Sequence, residues 1–534
     1  MIIARPRAQR TTVAALATVV ALSLAGCSAS TGDTASSDNT LIVALTASDV
    51  PNLDTGLAQI QGYEGLRFVS NQLYDGLTRF DLDQGDTPPS VEPDLAESWT
   101  SNDELTVWDF TLRDGVTFHD GTPWNADAAI YNLERYVDTG TDHFYADLAA
   151  QASFSIGAIA SFEKIDDLTI RITTSSPLAI LPENLATVYF GSPTALEELG
   201  NDGFALAPVG TGPFVFEKLT PGQSAEFSAN EDYWDGAPEL DTLVLRPIPD
   251  ATARAAALQS GEVNWIESPT PDDVPALTSA GFTLETNSYD HTWFWILDEE
   301  NGPTADVRVR EALNWAIDRD SLVTNVLHDT AEAAGGVLPR ANPAYNEETD
   351  NVFGYDPERA VELLADAGYA DGFEMTVSYP TGGSGMMSPG PMNTAIQADL
   401  AKVGVTVNLE PIDFAAMMAS MFAKEFPGGA DAVNMSGSYL PETFWGVWFN
   451  PATSPINIGG FSSPEVDELL AKAMTIADSD ERAAVYAEAA AVIQPIVPWL
   501  SVVNDLNARV LAPSVSGFVE PKSWFVDLTT VSVG

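Results

Sequence analysis

Nucleophilic or metal-based chemistry needs cysteines, histidines and carboxylates brought together, and this sequence is poor in the first two. It has one cysteine, Cys27, and four widely separated histidines, His119, His143, His291 and His328. None has the H-E-x-x-H spacing that sets two imidazoles on one helix face. Cysteine-based zinc and iron–sulfur sites are excluded, no metal is expected, and the histidines read as structural or surface groups. There is no G-x-x-x-x-G-K-S/T loop to cradle phosphates. GTGPF at 210–214 lacks the dinucleotide pattern, and GGSG at 382–385 is not a nucleophile elbow, since Ser384 has no evident histidine partner. Pairs such as Asp166-Asp167, Glu197-Glu198 and Glu299-Glu300 have the right groups for glycoside hydrolysis. Among 77 acidic residues, however, such pairs arise by chance and read as solvated surface. Neither a catalytic constellation nor a cofactor is implied.

The single thiol is another matter. Arg5, Arg7 and Arg10 precede an apolar run from about 13 to 24, too short for a span of ~20 residues and of the form of a secretory signal. Leu24-Ala25-Gly26-Cys27 has the pattern of a bacterial lipobox, which implies cleavage after residue 26 and lipid on the Cys27 sulfur. Residues 28–40 (SASTGDTASSDNT) carry no apolar anchor and read as a flexible tether. The expected order is a signal peptide at 1–26, a lipidated cysteine and tether at 27–40, and a large extracytoplasmic body held at a membrane.

Charge narrows the partners. The 534 residues hold 77 acidic and 23 basic side chains, a net charge of -54, with only six lysines. A groove that neutralises phosphates is excluded, and nucleic acid with it. Adhesion to anionic lipid through a basic patch is excluded for the same reason. With one cysteine no internal disulfide can form, so stability must come from burial; the length allows two to four domains.

The elements that must position any site read as mixed α/β. Strands are expected at 40–45 (TLIVAL), 105–112 and 168–173, and a hairpin follows the PVGTGPF loop of 208–214. A helix at 250–261 is capped by Asp250 and closed by Gly261. Apolar residues at 309, 312, 313, 316 and 317 share one helical face within 306–327. Asp356-Pro357 and Ser463-Pro464 start further helices, and strand-like runs at 373–379 and 403–410 alternate with them, which suggests a sheet covered by helices. SYPTGGSGMMSPGPM at 378–392 is a Gly/Pro/Ser-rich loop expected near a cleft.

Several stretches then resemble, in order, the family 5 extracellular solute-binding proteins of bacterial ABC importers, the peptide/nickel/opine group. They are NQLYDGLTRFD (71–81), PDLAESW (93–99), WDFTLRDGVTFHDGTPWNADAAIYNLER (108–135), PVGTGPFVFEKLTPGQS (208–224), NEDYWDGAPELDTLVLRPIPDATARAAALQSGEVN (230–264), DVRVREALNWAIDRDSLV (306–323) and YDPERAVELLADAGY (355–369). The region 462–500 completes the series. The resemblance implies an α/β, two-lobed fold of the periplasmic-binding-protein type (type II, the large cluster C group) with an extra subdomain in lobe I. Lobe I would be 41–288 plus 505–534, its inserted subdomain about 82–205, and lobe II 289–504, with hinge crossings near 286–294 and 500–505. It further implies a monomer that closes on a small solute and delivers it to the permease subunits of its importer, with no catalysis. A peptide is the favoured solute, and an oligosaccharide or other small polar solute is the alternative. A secreted hydrolase is the rival from another class.

The resemblance also places the ligand. The match to the segment after the first strand, TASDVPNLD (46–54), puts Ser48, Asp49 and Val50 at the cleft. MSGSYLPETFWGVWF (435–449) matches the second cleft segment and offers Met435, Ser436, Gly437, Ser438, Tyr439 and Trp445, with Trp293 from the hinge strand and Trp448 as a weaker candidate. Peptide binders carry an aspartate four residues before the proline, which here is Gly437. The expectation is a site that does not depend on a free α-amine.

Overall fold

The computed structural model describes residues 39–534, apart from 384, 439–441, 443 and 453. Cys27 and Tyr439 therefore lie outside the described residues. Among those described, no helix is long and apolar enough to cross a membrane.

Two large sheets organise the body. The first has seven strands, in the order 283–285, 509–511, 265–267, 40–45, 242–247, 224–229 and 214–220. Its central strand, Thr40–Leu45, runs parallel to both neighbours. Side chains alternate across a strand, so Leu41, Val43 and Leu45 pack with Phe68 and Trp265. Ala44 instead faces Leu258 of the helix Ala251–Ser260. That helix begins where the Asp250 side chain accepts a hydrogen bond from the Ala253 N–H and stops at Gly261, whose left-handed backbone (φ 75°) suits glycine. The hairpin forms from Phe214–Thr220 and Ser224–Ala229.

The second sheet has six strands, ordered 331–333, 499–505, 291–297, 432–438, 373–380 and 405–412. His291–Leu297 is buried along its whole length and antiparallel to both neighbours. Trp293, Trp295 and Leu297 meet the helices Val307–Trp315 and Pro389–Lys402. Phe294 and Ile296 meet the layer that contains Phe444–Phe449, Pro464–Ala473 and Ser479–Ile493. The apolar stripe of 306–327 forms two helices rather than one. Val307–Trp315 ends, and Asp318 then caps Arg319–Asn325 by accepting from the Ser321 N–H. The break lets the buried Arg319 guanidinium donate to the Ser501 and Asn314 carbonyls at 2.7–2.9 Å, contacts that periodicity cannot forecast.

A smaller antiparallel sheet of four strands, 96–101, 107–112, 169–174 and 159–166, packs with the helix Ala126–Val137 around Trp108, Phe110 and Trp124. The chain passes between the large sheets at 286–290 and returns at 506–508. The two passages are tied together where the Asn287 N–H donates to the Leu506 carbonyl at 2.9 Å. The Asn287 amide also donates to the Gly85 and Glu520 carbonyls.

Candidate functional site

Between the two halves lies a cavity of about 460 Å³. The sequence builds its floor from the strand Ala432–Ser438 and the helix Phe444–Phe449. Met435, Ser436, Gly437 and Ser438 line it from the strand, and Phe444, Val447 and Trp448, spaced i, i+3 and i+4, from one face of the helix. The Trp448 indole is fixed on three sides. Its Nε1 donates to the Ser438 carbonyl at 3.1 Å, and its ring meets Phe294 and Trp499 edge-on at 5.5 and 5.7 Å. The fourth side is Gly437, where a Cβ would stand 2.1 Å from Cζ2 of Trp448. No side chain fits there, so the acidic anchor that the resemblance expects is replaced by indole.

The helix Phe414–Phe422 forms another wall. Phe414, Met418 and Phe422 face the cavity, while Met417 and Met421 are buried behind them. Met386 from the 378–392 loop, Phe154 and Leu66 from the opposite half, and Trp524 complete a mostly apolar lining, to which the opposite half adds the uncharged polar side chains of Gln151, Ser155 and Thr187. Among the described residues, no aspartate, glutamate, lysine or arginine belongs to it. Among the described residues of the lining, the ionisable side chain is His291, which is 1 % exposed and stacked on Tyr289 at 5.3 Å. Its Nδ1 stands 3.6 Å from Asp505 Oδ2, an oxygen that accepts from the Tyr289 hydroxyl at 2.7 Å.

Trp524 also borders a polar space of about 230 Å³ on the hinge side, lined by Thr46, Glu64, Arg67, Arg254, Glu267 and the 381–389 loop. Its charged groups are engaged within the protein, Arg67 with Glu267, and Arg254 with the Glu267, Ile248, Pro249 and Ser268 carbonyls. Glu64 accepts from the Thr46 N–H and hydroxyl at 2.8 Å and from the Ala47 N–H at 3.0 Å. Burial, with Glu267 nearby, lifts its carboxyl above the usual range. Burial also acts to raise Glu267, but Arg509 and Arg67 outweigh it and hold that carboxyl low. Arg67 pairs with Glu267 and donates to Asn507 at 3.0 Å.

Several expected contacts lie elsewhere. Asp49 accepts from the Val50 and Gly222 N–H groups at 2.7 and 2.9 Å, closing a surface turn. Val50 packs in the first sheet's core, and neither space is lined by Ser48, Asp49 or Val50. Trp293 is fully buried behind the lining, where its Nε1 donates to the Met386 carbonyl at 3.2 Å. Trp445 points off the opposite face of its helix, stacks on Tyr486 at 4.8 Å and borders a separate space. Sequence reasoning missed Phe414, Met418, Phe422, Met386, Phe154 and Trp524. The usable signal was the FAAMMASMF segment, apolar on every face, which a helix with only one face in a core does not need.

The sequence profile of the bacterial extracellular solute-binding proteins, family 5 (middle), matches residues 90–454. The chain belongs to this family. Similar curated proteins include heme-binding protein A of Haemophilus influenzae, 32% identical over 84% of this chain and 85% of that one. Di/tripeptide-binding protein 2 of Pseudomonas aeruginosa is 29% identical over 86% and 90%. Among solved structures, the periplasmic binding protein DppA of Helicobacter pylori in complex with peptide STSA superimposes with a TM-score of 0.77. That match covers 92% of this chain and 98% of the other at 25% identity. The fold is thus the two-lobed one of family 5, which serves ABC importers.

Proposed function

We propose that this family member is a lipid-anchored receptor that encloses a compact, largely apolar solute, foremost a peptide with apolar side chains. It closes about the crossings at 286–290 and 506–508 and delivers the solute to the permease of an ABC importer. It acts as a monomer without catalysis, held by lipid on Cys27 at the outer face of the cell membrane. The carrying observation is the cavity of about 460 Å³ between the halves, whose lining holds no carboxylate, lysine or arginine among the described residues. That volume falls in the range of ordinary small-molecule sites, which are mainly apolar with few polar groups. The relatives' names speak of heme in one case and di- and tripeptides in another, so the lining has to decide among ligands.

A buried ammonium would cost several kcal/mol without a paired carboxylate. With glycine at 437 and Asp49 turned to the surface, recognition rests on apolar contact and on hydrogen bonds from main chain and from uncharged polar side chains such as Ser436, Ser438, Gln151, Ser155 and Thr187. Mass spectrometry of solute that co-purifies with the native protein identifies the ligand class. Calorimetry on a bound peptide then compares its free and N-acetylated forms. They should differ by less than about 1.4 kcal/mol, a factor of ten. A hundredfold loss on acetylation would refute the reading.

A further inference from the structure

A third space between the halves, of about 750 Å³, holds one arginine between two glutamates. Arg482, on the helix Ser479–Ile493, is 2 % exposed at its side chain. Its Nε donates to Glu442 Oε2 at 2.7 Å, and Nη2 reaches Glu442 Oε1 at 3.3 Å. The same Nη2 donates at 2.8 Å to Oε1 of Glu183, which belongs to the helix Leu181–Leu185 of the other half. Nη1 is taken up by the Ile476 and Ala477 carbonyls. Nearby, the Ala179 N–H donates to the Met474 carbonyl at 2.9 Å, so the halves are joined here by backbone as well.

One cation facing two ionised carboxylates leaves an uncompensated negative charge in a place mostly cut off from water, which is unfavourable. A proton removes it. Glu442 holds the guanidinium through two nitrogens and Glu183 through one, so Glu183 is the group that gives up its charge more readily. We propose that closing the two halves takes up one proton at Glu183, so that acidification draws the protein shut. The inference rests on the hinge motion proposed above and not on the identity of the solute.

The sign follows from linkage. In the closed form burial lifts the Glu183 carboxyl from 4.5 to about 7, with Glu442 adding to the rise and Arg482 opposing it. In an opened form the carboxyl meets water and returns to the ordinary range. The form that holds the proton more tightly gains as pH falls. Closure is therefore fully favoured below the ordinary carboxylate range, and the advantage is lost as pH rises to about 7. The other titratable or charged groups facing this space are Tyr486, whose hydroxyl is pushed well above its usual value by burial, and Asp290, Asp480 and Lys522. Elsewhere between the halves, the half-buried His328 meets Asp272 at 2.9 Å. Imidazoles in general change charge between pH 5 and 8, so the test removes that one.

The test uses the full chain with Cys27→Ala and His328→Gln and spin labels at Leu199→Cys and Val361→Cys, exposed positions on opposite halves. Pulsed electron spin resonance reads the distance distribution from pH 4.5 to 8.5 with no ligand added. The ratio of closed to open molecules should fall at least about tenfold between pH 5 and 8. Glu183→Gln should stay closed across the range. Glu442→Gln, which leaves Arg482 with a single carboxylate, should shift the midpoint to lower pH and serves if Glu183→Gln folds poorly. Two populations whose ratio ignores pH, or a dependence that survives Glu183→Gln, would overturn the proton uptake alone. One narrow distance in every variant at every pH would overturn it together with the hinge motion.

Discussion

Gly437→Ala adds one methyl group at the floor of the cavity, and its effect can be worked out from the surrounding atoms. Position 437 lies in the strand Ala432–Ser438 and has no positive φ, so backbone strain is not at issue. The new Cβ would stand 2.1 Å from Cζ2, 2.8 Å from Cε2 and 3.0 Å from Cη2 of Trp448. Ordinary contact begins at 3.4 Å, so the indole must retreat by about 1.3 Å. Phe294 and Trp499 stand edge-on against that ring, which leaves the cavity as the open direction. The displacement breaks the Nε1 bond to the Ser438 carbonyl. Overpacking of this kind costs about 1–3 kcal/mol and the lost hydrogen bond about 1 kcal/mol, together roughly 2–4 kcal/mol. Urea unfolding followed by tryptophan emission measures the loss. Combining Gly437→Ala with Trp448→Leu should relieve the clash and show a coupling above about 1 kcal/mol in a double-mutant cycle. A single variant within about 0.5 kcal/mol of wild type, with no coupling to position 448, would refute this account of why glycine stands there.

Cys27→Ala should leave the body folded but release it from membranes, because it removes the proposed lipid attachment; since one acyl chain binds only marginally and stable anchoring needs two signals, the wild-type cysteine should be multiply acylated. Fractionation reads this, and wild-type protein found in the medium with an unmodified thiol would count against it. Asp49→Asn should change ligand affinity by less than about threefold, since Asp49 serves the surface turn at Val50 and Gly222; calorimetry decides, and a tenfold loss, about 1.4 kcal/mol, would return Asp49 to the site. Stability should fall from pH 5.5 to pH 8.5. Burial lifts the carboxyls of Asp350 to about 6, Glu299 to about 7 and Glu520 to about 8, and a raised folded value gives stability that is full below the unfolded value and lost as pH rises through the folded one. The overall charge of -54 acts in the same direction. Calorimetric melting should therefore be higher at pH 5.5, and the reverse order would refute the assignment.

What was legible in the sequence was local, and what was hidden was spatial. Asp250 and Gly261 mark their helix because a carboxylate cap and a left-handed glycine satisfy backbone groups within a few residues. The 40–45 strand and the 214–229 hairpin carry their signals in the same way. The ordered motifs that pointed to family 5 belong largely to such elements. The cavity wall is different. In FAAMMASMF, Met417 and Met421 are core and Met418 lines the cavity, and hydrophobic periodicity reports only that each avoids water. Trp293 and His291 lie two residues apart on one strand, yet the indole supports the Met386 backbone while the imidazole reaches the lining. Asp49 and Glu64 show the same limit: Asp49 closes a surface turn, whereas Glu64 borders the polar space, set there by Thr46 and Ala47, 18 and 17 residues away in sequence.

The distribution of charge bears on how a body this acidic could keep the proposed site from taking up cations. At -54 the surface draws cations generally, so selectivity against them has to arise inside the cleft. The apolar cavity offers an ammonium no carboxylate, and the polar space beside it offers only carboxylates already engaged. Glu267 is held by Arg67, Arg509 and the Trp265 N–H, and Glu64 by Thr46 and Ala47. A cationic solute would have to displace one of these partners and leave it buried without its bond, a loss of the several-kcal/mol class for charged groups. Discrimination then comes from what the cleft withholds as much as from what it contacts. Gly437 and Trp448 are the clearest instance, because the same indole that forms the apolar floor also occupies the space in which an anchoring aspartate would have to stand.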